Sequence, residues 1–156
     1  MSIDLNIDEA VDASRVPVIE QLSAAVAAAA LVTDVSEAFE VALSVVGPDQ
    51  MAALNQQWRE KPKPTNVLAF ANQDVEGWVA PPNVVRHLGD IVICASVVAD
   101  EADAQSKREL DHWRHLVVHG TLHLMGYDHI ESAEAEIMEQ LERDALATLG
   151  ISDPYA

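Results

Sequence analysis

The sequence predicts a single mixed α/β domain of the α+β type, in which a small sheet packs with several helices. Two patterns indicate this class. Ile3, Leu5 and Ile7 alternate with polar residues at the period of a half-buried strand, whereas residues 109–124 place their apolar side chains at helical spacing. A chain of 156 residues has the size of one domain, and such a chain buries about 70% of its unfolded surface. We find no internal repeat, linker or low-complexity tail, so residues 1–156 are interpreted as one domain.

The N-terminal half begins with that strand and continues with a helix predicted over residues 16–31. Pro17 falls in the first turn of this helix, where a missing N–H is tolerated. The apolar stretch 24–32 is too short and too rich in alanine to span a membrane, so it is interpreted as the inner side of the helix. A second strand is predicted over residues 39–46, ended by Gly47-Pro48, and a short helix over residues 49–58.

The C-terminal half is predicted to contain two further strands, over residues 66–71 and 88–94. The segment between them contains Gly77 and Pro81-Pro82 and is long enough to be a functional or mobile loop. A helix is predicted around residues 97–105, and the helix over 109–124 follows it.

The last helix is predicted to have Ser132 as its N-cap, with Glu134 and Glu136 near its positive end. Its buried seam is predicted to consist of Met138, Leu141, Ala145 and Leu149. Met138 is therefore predicted to pack in the core and not to lie beneath a metal ion.

The single cysteine, Cys94, excludes an internal disulfide framework and suits a reducing compartment. It lies in an apolar run, so it is predicted to be a buried thiol. The N-terminus is acidic and lacks the cationic start of a signal peptide. These features indicate a cytoplasmic protein without a membrane span.

The most informative segment lies near the C-terminus, where His119, His123 and His129 surround Gly126. Histidines four residues apart lie on one face of a helix, so His119 and His123 can reach a single ion. Gly126 supplies the left-handed residue at which the helix stops, and the returning chain brings in His129. Three neutral imidazoles with an open fourth position are the composition of a catalytic zinc site. We therefore predict one Zn²⁺ ion held by these three histidines.

Helix geometry limits which histidines can share that ion. His112, His115, His119 and His123 fall on the side of the helix opposite its apolar stripe. His115 and His123 are separated by roughly 12 Å along the helix, so they cannot bind the same ion. The ligand pair on the helix is therefore either His115 and His119 or His119 and His123. Because His129 follows the turn just after His123, it favours the pair His119 and His123. His112 and His115 are predicted to support the ligand histidines without binding the ion, to line the cleft, or to be satisfied polar residues.

One group expected of a protease is missing from this motif. The zincin protease pattern HExxHxxGxxH places a glutamate general base directly after the first histidine. Gly120 occupies that position here. The metal must therefore act with another base, or on a substrate that carries its own nucleophile.

Together with three other segments, this histidine motif resembles the signature of the YbeY family of bacterial rRNA-maturation endoribonucleases. Arg59 and residues 61–70, KPKPTNVLAF, resemble the family's Arg…Pro-Thr-Asp/Asn-Val-Leu-Ser-Phe-Pro segment. Residues 88–94 resemble its Gly-Asp-Ile strand, and residues 149–155 resemble the tail of some members. The match spans nearly the whole chain and is least distinctive in the N-terminal third. The sequence departs from the family pattern at Ala69 and Ala71, where serine and proline are usual.

The resemblance implies a zincin-like arrangement with a small mixed sheet of about four strands and a metal-binding helix near the C-terminus. It also makes two residues candidates for chemistry. An arginine after a short helix, such as Arg59, is usually only solvated; the resemblance implies that its bidentate guanidinium binds phosphate. Asp90 is either a turn or cap carboxylate, or a group that orients a ligand histidine or a metal-bound water.

The formal net charge of −17 is unfavourable for a nucleic-acid enzyme, and by itself it favours an acidic protein without such a partner. Carboxylates concentrate in the first forty residues and the last helix, whereas seven of the nine Lys and Arg residues lie in the middle of the chain. These seven are Arg59, Lys61, Lys63, Arg86, Lys107, Arg108 and Arg114. A local basic path can therefore exist on an acidic body, although Lys61 and Lys63 equally fit a solvated loop. Trp58 and Trp78 could stack on bases, but burial is expected for Trp58.

We therefore predict a zinc-dependent endoribonuclease that acts on single-stranded RNA. The resemblance implies 16S rRNA 3′-end processing and ribosome quality control as its role, with rRNA and the small ribosomal subunit as partners and neither DNA nor a membrane among them. Either water or the RNA 2′-hydroxyl can be the attacking group. Two alternatives stay open: a metal-dependent hydrolase of another substrate, including peptides, and a ribosome-associated assembly factor with a structural metal.

Overall fold

Residues 1–35, 37–59, 64–72, 85–128 and 131–155 are described by the structure, a computed structural model of the chain. Over these residues the chain forms four strands, five α-helices and one short 3-10 turn. The four strands build one mixed sheet. The predicted mixed α+β class and the expected number of strands are therefore confirmed.

The strands of the sheet are β1 (Ser2–Ile7), β2 (Phe39–Val46), β3 (Val67–Ala71) and β4 (Arg86–Cys94). Their spatial order is β1-β2-β4-β3. β2 pairs in parallel with β1 and β4, and β3 pairs antiparallel with β4. β3 is therefore an edge strand, and the candidate site lies beside it.

The helices are α1 (Ile19–Val32), α2 (Pro48–Arg59), α3 (Ala95–Ala104), α4 (Glu109–Leu124) and α5 (Ser132–Thr148). α1 and α4 pack on one face of the sheet over the larger hydrophobic core, and α5 packs against α1 and α4. α2 and α3 contribute to a smaller core that includes Met51 and Val92. Alternation along β4 separates the two cores, because Ile91 and Ile93 belong to the larger one and Val92 and Cys94 to the smaller one.

β4 contains an irregularity where it pairs with β2. The register places Glu40 opposite His87 but Val41 opposite Gly89, so Leu88 is an extra residue in the ladder. Gly89 has a φ of +146°, and a Cβ there would lie 2.3 Å from the carbonyl oxygen of Phe70. Only glycine fits this position, because both the backbone angle and the contact exclude a side chain.

Two helix starts differ from the sequence prediction. Residues 13–15 form a separate 3-10 turn, and the chain stays extended through Val18, so α1 begins at Ile19 and Pro17 precedes the helix. Ser132 is the first residue of α5 and not its N-cap; Glu131 holds that position without a side-chain hydrogen bond. The remaining differences in element ends are one or two residues.

Other predictions about buried residues are confirmed. Met138, Ala145 and Cys94 are buried, and Leu141 and Leu149 pack against the larger core. The predicted loop with Gly77 and Pro81-Pro82 lies outside the described residues. In the described part of the chain, no helix has the length and apolar character needed to cross a membrane.

Candidate metal centre

α4 has the two faces that the sequence predicts. Trp113, Val117 and Leu124 are buried in the larger core. His119 and His123 lie on the other side and line a cavity of about 580 Å³, together with residues of β3 and the C-terminal end of α2. The two imidazoles reach the same space because side chains one helical turn apart lie above one another.

The Nε2 atoms of His119 and His123 lie 3.1 Å apart. Two zinc–nitrogen bonds of about 2.0–2.1 Å at a tetrahedral angle hold their nitrogens about 3.3 Å apart, so this separation fits two ligands of one ion. The His115 ring centroid is 6.4 Å from that of His119, and its Nε2 lies 3.7 Å from Oε1 of Glu142. Of the two pairs that the helix allows, the structure brings together the nitrogens of His119 and His123.

The helix ends immediately after His123 in a turn around Gly126. The Gly126 N–H donates to the carbonyl of His123, and the Tyr127 N–H donates to that of Leu122. These two hydrogen bonds form a Schellman motif. The motif requires a left-handed residue, which Gly126 provides with a φ of +99°. The turn reverses the chain towards the cavity, which Asp128 also lines.

His129, the third predicted ligand, lies outside the described residues. Within the described ranges, no group of three His, Cys, Asp or Glu side chains is placed to hold a metal ion. His119 and His123 therefore offer two donors, and a third must come from another residue. The role of His129 stays a prediction.

Glu142 on α5 is a residue of this site that the sequence analysis missed. It is fully buried. Its Oε1 accepts a hydrogen bond from Nδ1 of His119, and its Oε2 accepts one from the Tyr155 hydroxyl. Because an ionised carboxylate only accepts, Nδ1 of His119 carries the proton of this hydrogen bond, and Nε2 is the nitrogen on the cavity side. Glu142 thus sets the tautomer that a metal ligand needs.

The charge state of Glu142 follows from its surroundings. Burial raises the pKa of Glu142, but interactions with His115, His119 and Tyr155 outweigh burial and lower the pKa to about 2. The carboxylate is therefore ionised at neutral pH. The pKa of the Tyr155 phenol is raised, first by burial and then by Glu142, so the phenol stays protonated and donates.

A signal for Glu142 does exist in the sequence. Glu142 lies four residues after Met138 and three before Ala145, which places it on the apolar seam of α5. A carboxylate at such a position is rarely buried unless it has partners. The pattern indicates a buried hydrogen-bonded group, although it does not show which residue the group contacts.

Gly120 packs α4 closely against β4. A Cβ at this position would lie 3.1 Å from Cγ2 and 3.2 Å from Cδ1 of Ile91. Ile91 is itself buried, so any side chain at position 120 has to displace part of the core. The glutamate of the zincin protease pattern is therefore replaced by a glycine at a point of close helix–sheet contact.

Arg59, the last residue of α2, lines the same cavity as His119 and His123. Its side chain is exposed, and the described part of the chain holds no ion-pair partner for it. The structure therefore brings this predicted site residue to the histidine pair. Its guanidinium is accessible to an anionic group that enters the cavity.

The wall of the cavity is anchored by Asn66, at the start of β3. Its side-chain NH₂ donates to Oε1 of Glu101 at 3.0 Å, and its backbone carbonyl accepts from the N–H of Cys94 at 3.0 Å. Glu101 also bonds Nε2 of His112 at 3.0 Å. His112 is thus hydrogen-bonded at Nε2, whereas its buried Nδ1 has no hydrogen-bond partner in the described part of the chain, so the interpretation as a satisfied polar residue holds for one ring nitrogen only. Its pKa is lowered by burial, an effect that Glu101 partly offsets.

Asp90 lies apart from the cavity. Because Ile91 packs against α4, the alternation of β4 turns Asp90 to the other face of the sheet. The Asp90 side chain is 59% exposed, and its Oδ1 is 3.9 Å from Nε2 of His87. The contact to a ligand histidine that was expected of Asp90 is made by Glu142.

The burial predicted for Trp58 is wrong. Trp58 continues the stripe of α2 that begins with the buried Met51 and Asn55, but it lies at the helix end and is 60% exposed. Its ring centroid is 5.5 Å from that of Phe70 on β3, and its side chain lines the cavity. Trp78 lies outside the described residues.

The predicted basic path is reduced to one residue in the described part of the chain. Among the described Lys and Arg residues, Arg59 is the one that lines the cavity. Arg86 instead pairs with Glu37 at 3.5 Å. Lys61 and Lys63 lie outside the described residues.

A histidine pair and an arginine around one cavity, with a buried carboxylate bonded to one of the histidines, have the composition of an enzyme site. The chain matches the model of the family "Endoribonuclease YbeY" over residues 5–150. It therefore belongs to the endoribonuclease YbeY family.

Curated relatives support that assignment. The Endoribonuclease YbeY of Idiomarina loihiensis is 52% identical over 120 residues, covering 76% of this chain and 70% of the relative. That of Azorhizobium caulinodans is 43% identical over 146 residues, covering 92% and 89%. The solution structure of TM1509 from Thermotoga maritima is similar in fold, with a TM-score of 0.57, 23% identity and 99% coverage of both chains. Endoribonucleases, as the curated relatives are named, are hydrolases acting on RNA.

Proposed function

We propose that this chain is a zinc-dependent endoribonuclease that cleaves single-stranded RNA. Membership of the family supports RNA cleavage, because its curated relatives are named endoribonucleases. One observation carries the proposed metal dependence: the Nε2 atoms of His119 and His123 lie 3.1 Å apart in a cavity that Arg59 also lines. The zincin-like arrangement, with α4 as the metal-binding helix, is part of this proposal.

The residues that would hold the ion are His119, His123 and His129. Glu142 holds the His119 ring so that its Nε2 lone pair is directed into the cavity. When bound, zinc supplies a Lewis acid that polarises a phosphate oxygen, or lowers the pKa of a water molecule to about 7.

Arg59 binds the scissile phosphate in this proposal. A guanidinium offers two parallel N–H donors to phosphate oxygens, and it stabilises the additional negative charge of the transition state. The expected role of Asp90 in catalysis has no supporting contact to the histidines and stays a prediction. If Asp90→Asn cleaves RNA at the wild-type rate, the prediction that Asp90 acts in catalysis is wrong.

The residue that follows His119 in the chain is Gly120, which packs on Ile91, so the glutamate base of a zincin protease is absent from that position. An RNA substrate can supply the 2′-hydroxyl as its own nucleophile, whereas attack by water needs no such group. The products distinguish the two routes. Attack by the 2′-hydroxyl leaves a 2′,3′-cyclic phosphate and is blocked by a 2′-deoxy residue at the cleavage site.

We also propose the cellular role that the resemblance implies. The chain would act in the cytoplasm on rRNA of the small ribosomal subunit, in 16S rRNA 3′-end processing and in ribosome quality control. Neither DNA nor a membrane is a partner in this proposal.

The decisive experiment incubates metal-loaded and metal-stripped protein with a defined single-stranded RNA and maps the product ends. Cleavage is expected to require the metal and to be lost in His123→Ala. Arg59→Ala is expected to retain zinc and to cleave at least about tenfold more slowly, since a charge-assisted hydrogen bond in a dry site contributes roughly 10²–10³ in rate and this site is partly solvated. Arg59→Lys should restore only part of the rate, because the lysine ammonium does not reproduce the two parallel N–H donors of the guanidinium.

Other results would favour the alternatives. Casein hydrolysis that chelation and His119→Ala abolish would indicate a peptide hydrolase. If Arg59→Ala and wild type cleave equally while attachment to ribosomal subunits falls, Arg59 is a docking residue and the protein is an assembly factor. Either outcome would overturn the proposed nuclease.

A further inference from the structure

The exposed indole of Trp58 stands out among the apolar side chains of this protein. Single exposed hydrophobic residues are common, and Leu31 is 66% exposed on α1 without any special setting. Trp58 differs in its location, because it lines the cavity that also contains Arg59, His119 and His123. A large apolar ring is therefore left open to solvent inside the candidate active site.

The indole is held in place although it is not buried. Trp58 lies at the C-terminal end of α2, three residues after the buried Asn55 and next to Arg59. Its ring packs on Phe70 of β3 with an interplanar angle of 59° and a centroid distance of 5.5 Å. This tilted contact fixes the ring against the edge strand. The Phe70 contact leaves 60% of Trp58 accessible to a ligand.

We propose that Trp58, supported by Phe70, forms a nucleobase-binding subsite of the RNA cleft. The inference rests on the proposed function, since the RNA substrate supplies the base. A nucleotide carries a charged phosphate on one side of its ribose and a flat aromatic base on the other. Arg59 and Trp58, which are adjacent in the chain and line one cavity, offer a guanidinium for the phosphate and a π-face for the base.

This subsite explains how an acidic protein can hold RNA. In the described part of the chain, the cavity is lined by one cationic side chain, Arg59, so phosphate contacts contribute few ion pairs. Stacking on an aromatic ring does not depend on net charge, and it accepts any base because every base has a π-face. The subsite therefore contributes affinity for an unpaired nucleotide beside the scissile phosphate, without strict sequence preference.

The binding test uses a fluorescent oligoribonucleotide with 2′-O-methyl groups, which retains bases and phosphates but lacks the 2′-hydroxyl. A series of such oligonucleotides each carries one abasic residue at a different position, and anisotropy gives the Kd for the full-length chain. For wild type, loss of one particular base should weaken binding by about 5- to 150-fold, the range of base–aromatic stacking. Trp58→Ala should weaken binding of the intact oligonucleotide by a similar factor. The Kd of this variant should not change further when the base at that position is removed.

A kinetic test with cleavable RNA separates stacking from chemistry. Trp58→Ala should raise KM while kcat stays within about twofold of wild type, because the indole binds a base and does not touch the reacting atoms. Trp58→Phe retains a π-face and should keep most of the affinity, whereas Trp58→Leu retains only apolar bulk and should not. Leu31→Ala, an equally exposed position outside the cavity, is the matched control and should behave as wild type.

The proposal is overturned if Trp58→Ala binds RNA as wild type does, or if it binds more weakly but remains sensitive to the same abasic position. Thermal unfolding of each variant guards against misfolding, and Trp58→Leu serves as the second variant if Trp58→Ala does not fold. The anisotropy arm does not require cleavage. If the binding test fails but metal-dependent cleavage is observed, the subsite is wrong and the proposed nuclease stands. If RNA binds in the base-dependent way but is not cleaved, the proposed nuclease alone is overturned.

Discussion

At the scale of single residues, Glu142 contributes most to the geometry of the candidate metal centre. It joins α5 to α4 by accepting a hydrogen bond from Nδ1 of His119, and it accepts a second one from the hydroxyl of Tyr155. A buried carboxylate without partners is costly, so these two donors also explain how α5 tolerates a charge in its core. The residue therefore links the stability of the helix pair to the orientation of a metal ligand.

We expect Glu142→Ala to weaken zinc binding by about 10- to 100-fold, the usual cost of losing a hydrogen-bond partner of a ligand histidine. Glu142→Gln can still accept from Nδ1 but lacks the charge, so its loss should be smaller. Competition with a chromophoric chelator at neutral pH measures both affinities. Glu136→Gln, at an exposed position of the same helix, is the control and should match wild type. Equal zinc affinity in all four proteins would contradict the positioning role.

Local patterns predicted part of the candidate site, and long-range packing determined the rest. His119 and His123 are four residues apart on one helix, so periodicity alone places their side chains together. Glu142 is 23 residues from His119, and their contact depends on how α5 packs against α4. Trp58 shares a helix stripe with buried residues, but the stripe does not show that the helix end borders an open cavity.

At the scale of elements, the irregularity in β4 joins the sheet to the histidine helix. Gly89 is the point where β3, β4 and α4 meet, since a Cβ there would lie 2.3 Å from the carbonyl of Phe70 and 2.9 Å from Cδ2 of Leu124. The glycine of the Gly-Asp-Ile motif therefore has a structural explanation. Any side chain at this position would collide with the backbone of β3 at Phe70 and Ala71 and would displace the Leu124 side chain.

We expect Gly89→Ala to lower the free energy of unfolding by about 3 kcal/mol or more, because overpacking adds to backbone strain. Gly126→Ala is the matched comparison. It also replaces a glycine with positive φ, but no atom lies within 4 Å of its Cβ position, so only strain of about 1–2 kcal/mol applies. Urea unfolding of the three proteins gives both values. A loss in Gly89→Ala no larger than that in Gly126→Ala would show that the Phe70 contact is relieved at little cost.

The elements themselves were predictable because their signals are local. Period-2 alternation identified β1, and both ends of β2 and α4 agree with the residues predicted. The strand order β1-β2-β4-β3 was not predictable, since pairing partners are distant in sequence. The start of α1 was misplaced because proline fits both the first turn of a helix and the extended residues before it.

At the scale of the whole molecule, the buried His112 makes stability depend on pH. Its pKa in the folded protein lies below the ordinary value of 6.5, chiefly because it is buried. The unfolded chain therefore takes up a proton at this residue at higher pH than the folded protein does. The contribution of neutral, buried His112 to the free energy of unfolding is fully present above pH 6.5. It is lost as the pH falls from 6.5 through the pKa of His112 in the folded protein.

We expect the free energy of unfolding of wild type to fall between about pH 7.5 and 5.5, with this residue contributing at most about 1.4 kcal/mol per pH unit. His112→Gln should show a smaller fall, because the mutant lacks this proton uptake. Urea unfolding of metal-free protein at both pH values measures the difference, and the comparison cancels the titration of the other histidines. Identical falls in the two proteins would mean that His112 titrates alike in the folded and unfolded chain.

The net charge of −17 leads to an expectation for how RNA binding depends on salt. For single strands, the slope of log Kobs against log salt is about −0.7 for each phosphate that a cationic side chain neutralises. Among the described residues, Arg59 is the cation that lines the cavity, and Lys61 and Lys63 follow it closely in the sequence. Three such contacts set a limit of about −2. Salt also screens the repulsion between RNA and the acidic surface, which makes the slope shallower still.

We therefore expect the Kd of the 2′-O-methyl oligonucleotide, measured from about 50 to 300 mM KCl, to give a slope no steeper than about −2, and Arg59→Ala to reduce its magnitude by about 0.7. Arg86→Ala, which removes a cation paired with Glu37 away from the cavity, should leave the slope unchanged. Trp58→Ala should weaken binding at every salt concentration by one common factor, since stacking releases no counterions. A slope of about −5 or steeper would require a broad basic surface, and it would contradict a cleft that relies on one arginine, a few neighbouring lysines and an aromatic ring.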